Sequence, residues 1–77
     1  MDWVPVESSV LVCSQLLSSR AALYLKFRSG AIYRYVDFRQ DQYSEFLAAN
    51  SKGQYFNCHI RACFQCQQVG RVRRITG

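Results

Sequence analysis

No apolar run in the 77 residues approaches the roughly 18 needed to cross a bilayer, and Met1-Asp2-Trp3 lacks the basic start and long apolar stretch of a secretory signal. The chain is therefore expected in the cytoplasm, without membrane contact. Acidic residues are also scarce: five in all, none beyond Glu45, and none in a recognisable general acid/base spacing. There is one histidine, one proline and no glycine-rich phosphate loop. His59 lies next to Cys58, and neighbours on a helix diverge by about 100°, too far for a thiol–imidazole pair. Cys63 is four positions from His59 but falls on a stripe expected to face inward. Catalysis is not expected, and neither is a small-molecule substrate.

What is present is hydrophobic material and positive charge. With 49% apolar residues, including five Phe, five Tyr and one Trp, the chain can build a core, and its length suits one small domain. The net charge of +5 is uneven. Residues 1 to 45 balance five acids with five bases, whereas residues 46 to 77 carry Lys52, Arg61, Arg71, Arg73 and Arg74 with no acid. Such a half favours polyanions through counterion release, with plain solubility as the competing explanation.

Val10, Leu11 and Val12 mark a first strand over residues 8 to 13, followed by a turn near Ser18-Ser19. "ALYLKF" (22–27) alternates, with Leu23, Leu25 and Phe27 on one face and Tyr24 and Lys26 on the other. A hairpin leads into a third strand over residues 32 to 36. Its loop length decides where Tyr33 and Tyr35 point. A two-residue Ser29-Gly30 loop turns them outward beside Tyr24 and Lys26; a three-residue Arg28-Ser29-Gly30 loop turns them inward. Only the three-residue loop confines positive φ to the glycine, and it is favoured on that ground. The outer face then carries Tyr24, Lys26, Ile32 and Arg34.

Asp37 followed by Gln40 suggests a capping box opening a helix over residues 38 to 49, with Tyr43, Phe46, Leu47 and Asn50 along one stripe. Ser51 and Gln54 repeat the signal for a second short helix, with Phe56, Ile60 and Cys63 on its inward face. The expected fold is α+β: a three-stranded antiparallel meander, then two short helices packed on one face. The domain is expected to span residues 1–69, with residues 70–77 as a basic tail.

Cys58-x4-Cys63-x2-Cys66 matches the first three ligands of plant-type [2Fe-2S] ferredoxins. However, the stretch is bulky and reads as helical, so Cys58 stands about 140° from Cys63, and the only other cysteine, Cys13, lies upstream. Zinc on Cys63, Cys66 and His59 lacks a convincing second pair. Reduced, buried thiols and no metal or cofactor are expected.

The stretches "VESSVL" (6–11), "LYLKF" (23–27), Gly30, "YRY" (33–35) and "FLAANSKGQYFNCHIR" (46–61) resemble, in order and spacing, the KTSC domain. That family occurs at the C-terminus of some bacterial lysyl-tRNA synthetases and as small stand-alone bacterial proteins. The resemblance runs to about Cys63 and departs at Asp37-Phe38, where the family has a Val-Pro-like turn; the cysteines are outside the family pattern. It implies RNA rather than DNA as the partner of a non-catalytic binding domain, the alternative being a protein-interaction module docked on a larger protein. Lys52, Arg61, Arg71, Arg73 and Arg74 are the candidates for phosphate contacts. Tyr24, Lys26, Arg34 and Tyr55 are the candidates for base-facing groups.

Overall fold

The computed structural model describes residues 3–6 and 8–71. Five strands form one antiparallel sheet in sequence order: β1 (Val4–Pro5), β2 (Leu11–Leu17), β3 (Ala22–Phe27), β4 (Ala31–Tyr35) and β5 (Cys66–Arg71). Between β4 and β5 come α1 (Gln40–Ala48) and α2 (Lys52–Tyr55), the latter running on into a π-helical stretch (Phe56–Ile60). The three expected strands are thus the middle of a five-stranded sheet. The two additional strands left no pattern to read: β1 has only two residues, and β5, "CQQVGR", is an edge strand exposed at nearly every position. The sheet takes in Gly70 and Arg71, the start of the segment read as a tail; residues 72–77 lie outside the described residues.

The β3–β4 hairpin has the three-residue loop. Leu25 pairs with Tyr33 and Leu23 with Tyr35, the Gly30 amide donates to the Phe27 carbonyl at 2.9 Å, and Gly30 alone in the loop has positive φ, 97°. Leu23, Leu25, Tyr33 and Tyr35 therefore share the inner face. Tyr35 is buried, and Tyr33 is half-buried at the margin of the core. The core fills between this face and the helices, with Leu11, Leu23, Leu25 and Tyr35 meeting Phe38, Tyr43, Phe46, Phe56 and Ile60. Phe56 joins its two sides, with its ring 5.3 Å from Phe27 and 5.9 Å from Tyr35, both edge-on.

Two local readings give way. Asp37 does not cap α1: it adopts φ 62°, so that the next amide, Phe38, donates to the Ala21 carbonyl at 2.8 Å and anchors the linker to the sheet. The helix begins two residues later, with Arg39 as N-cap and the Gln42 side chain accepting from the Arg39 amide at 2.9 Å. At α2 the expected cap holds, Ser51 Oγ accepting from the Gln54 amide at 3.2 Å. The cysteines also differ from expectation. Phe56 and Ile60 are buried, but the wider π-helical turn shifts the phase and the chain leaves the helix at Ile60, so Cys63 is exposed and Phe64 packs on Phe38 instead, at 5.1 Å. Cys58 and Cys66 are exposed as well; Cys13 is the buried thiol.

Candidate nucleic-acid interface

The register aligns side chains across the sheet's outer face in two rows. Gln15, Tyr24, Arg34 and Gln67 stand in one; Pro5, Cys13, Lys26 and Ile32 stand in the next. None of these eight belongs to the core cluster beneath the helices, and none is acidic. Tyr24 is flanked by Gln15 and Arg34 and is adjacent to Lys26, whose ammonium lies 5.7 Å from the Trp3 ring centre. Arg34 Nη2 donates to Gln67 Oε1 at 3.0 Å, which ties the guanidinium to the neighbouring strand. Gln15 Oε1 and Arg34 Nε, on either side of Tyr24, have no hydrogen-bond partner among the described residues. Burial pushes the Cys13 thiol above its ordinary value, and the Lys26 charge pulls it partly back.

Elsewhere the basic and aromatic candidates are already engaged. Lys52 Nζ donates to the Ala49 carbonyl at 2.9 Å, closing the end of α1. Tyr55 lies against Phe46 and His59, with ring centres 5.8 and 4.6 Å away, and its hydroxyl donates to Glu45 Oε1 at 3.4 Å. Burial, and then the Glu45 carboxylate, raise its pKa. Tyr55 is thus held by contacts within the domain, whereas Lys52 keeps two of its three ammonium protons for other partners.

Arg61 and Arg71 belong to the opposite face. Between the β3–β4 hairpin and the π-helical stretch runs a groove of about 570 Å³, walled by Phe27, Tyr33, Tyr35 and Phe56 and rimmed by Asn57, Arg61 and Cys66. Arg71 pairs with Ala31, one of the lining residues, and so sits at the end of the groove. The Tyr35 pKa is strongly raised, by burial first and then by the neighbouring Cys66 and Tyr33, with Arg61 pulling it down. The nine candidate residues therefore divide among surfaces: Tyr24, Lys26 and Arg34 outside, Lys52 and Tyr55 on α2, Arg61 and Arg71 at the groove. Arg73 and Arg74 lie outside the described residues. Sequence reasoning missed Gln15 beside Tyr24, and it missed the groove. Its only trace of the groove was that "YRY" and "YFN", which supply Tyr33, Tyr35, Phe56 and Asn57, both fall within stretches that carry the family resemblance.

An antiparallel meander closed on one face by two short helices defines a small α+β domain, and among the described residues no three His, Cys, Asp or Glu side chains gather as metal ligands. The chain belongs to the KTSC domain family, whose model matches residues 16–64. The crystal structure of a KTSC domain protein from Yersinia pestis is similar at 28% identity, with a TM-score of 0.85, covering 90% of this chain and 97% of that one. No curated protein matches it. Among the described residues no helix is long and apolar enough to cross a membrane.

Proposed function

We propose that this KTSC domain is a non-catalytic, cytoplasmic RNA-binding module that uses the helix-free face of its sheet. One observation carries the reading: Tyr24 stands in the middle of that face between Lys26 and Arg34, with no acid in either row. A tyrosine ring on a sheet offers a stacking platform to an unpaired base, while flanking cations neutralise the phosphates on either side. RNA is preferred over DNA only through the synthetase association of the family.

Isotope-labelled full-length protein is titrated with single-stranded RNA, duplex RNA and single-stranded DNA at two salt concentrations, following backbone amides. The reading requires shifts at Tyr24, Lys26 and Arg34 that weaken steeply with salt. A spectrum that none of the three moves would reject it. A protein-interaction module is the second reading, favoured by exposed Val10, Val12 and Val69 and by β5 standing at the sheet edge. An apolar contact of that kind is nearly insensitive to salt.

A further inference from the structure

The groove on the helix side of the sheet is a second concavity, separate from the Tyr24 platform. Its volume of about 570 Å³ falls within the range of small-ligand sites. Its floor is aromatic: the Phe27 ring packs against Tyr33 at 5.5 Å and Phe56 at 5.3 Å, and half-buried Tyr33 keeps part of its surface open. Two polar side chains converge on the rim, the Asn57 amide and the Arg61 guanidinium. Both are exposed, and neither makes a hydrogen bond or ion pair among the described residues. Among the described residues no acid lines the groove.

An aromatic floor for a planar ring, an amide offering both donor and acceptor, and a guanidinium without a partner among the described residues suit a nucleotide. We infer that the groove receives a single unpaired nucleotide of the bound RNA, its base against Tyr33 with Asn57 on the base edge and Arg61 on the phosphate. A peptide ending in a carboxylate is the competing occupant, since its backbone amides would also meet Asn57; the aromatic lining and the acid-free, basic half of the chain favour the nucleotide. The inference rests on the RNA reading and adds to it a position at which one base leaves the strand. Arg71, at the end of the groove, stands where an adjoining phosphate would follow.

The test uses the full chain, labelled with nitrogen-15, and adenosine 5′-monophosphate, adenosine and a short single-stranded RNA as separate ligands. Adenosine monophosphate should shift amides around Tyr33, Phe56 and Asn57, and Arg61→Gln should weaken it about tenfold while leaving adenosine little changed. Arg61→Lys should recover part of the loss, and Asn57→Ala should weaken both ligands. Because both residues are exposed, an unchanged spectrum of the free variants shows that folding is intact. If RNA binds but adenosine monophosphate moves only the Tyr24 face, or ignores Arg61→Gln, the groove assignment fails and the RNA reading stands. If neither ligand moves any amide, both fail. A short apolar peptide with a free carboxylate that shifts the groove where the nucleotide does not would assign it to a protein partner and overturn the inference.

Discussion

Ser14 Oγ and Tyr43 Oη lie 3.0 Å apart in the interior, one on the inner face of β2 and the other on α1, and each is the other's hydrogen-bond partner. Ser14 is fully buried, so the pair is the polar pin between helix and sheet. Removing the Tyr43 hydroxyl leaves the serine unsatisfied. Tyr43→Phe is expected to cost about 1–3 kcal/mol by urea denaturation, and Ser14→Ala added to it should restore part of that loss. Strictly additive single and double variants would show that the bond carries no coupling energy.

A β-carbon on Gly53 would stand 3.0 Å from Ser8 Oγ. That hydroxyl is not free to move away, because it accepts from the amides of Val10 and Leu11 at 3.1 and 3.3 Å. Gly53→Ala should therefore lower stability even though alanine is the better helix former by about 1 kcal/mol. In a Ser8→Ala background the same change should be less harmful, which thermal melts of the four proteins would reveal. An equal loss in both backgrounds would put the cause elsewhere than in the Ser8 hydroxyl.

Tyr35 is protonated in the fold well above its ordinary value of 10.0, mainly because it is buried. The native state thus holds a proton that the unfolded chain releases near pH 10, so the tyrosine's contribution is intact below pH 10 and falls as pH rises beyond it. Cys13, raised from 9.0, acts in the same direction from a lower pH. Stability followed from pH 8 to pH 11 should decline, and Tyr35→Phe should flatten the part above pH 10. An unchanged slope in that variant would remove Tyr35 as the cause.

On the outer face, Tyr24→Ala should lower affinity for single-stranded RNA by roughly 5- to 100-fold, the usual range for one stacked base. Replacing Arg71, Arg73 and Arg74 together by Ala should weaken binding more evenly across sequences. It should also reduce the salt slope by about 0.7 for each phosphate that is no longer neutralised. A triple variant that binds like the parent would exclude this basic segment from the interface.

The hairpin register was legible because one residue carried it: the loop needs a single positive φ, and Gly30 is where it falls. The α2 cap was legible for the same local reason, Ser51 being both the right residue and unopposed. Asp37 misled because its neighbours mattered more than its type. The Ala21 carbonyl takes the Phe38 amide, and that tie holds Asp37 in the left-handed region that aspartate tolerates. β5 could not be read, since an exposed edge strand of glutamines carries neither alternation nor strong propensity and is specified by its partner β4. The groove was hidden for a further reason: its walls come from β3, β4 and the π-helical stretch, and a cavity belongs to none of them alone.

In the sheet, β1 to β4 each lie beside their neighbour in the chain, but β5 reaches β4 only after both helices have been crossed. Its pairing closes the longest loop of the sheet, so β5 is expected to join last during folding and to detach most readily afterwards. Hydrogen exchange at Gln67 and Gln68 should then outpace exchange at Leu23 and Leu25. Because Cys66 lies on the groove rim, each excursion of the strand would also open that rim, linking the rate of a local unfolding event to the lifetime of whatever the groove holds.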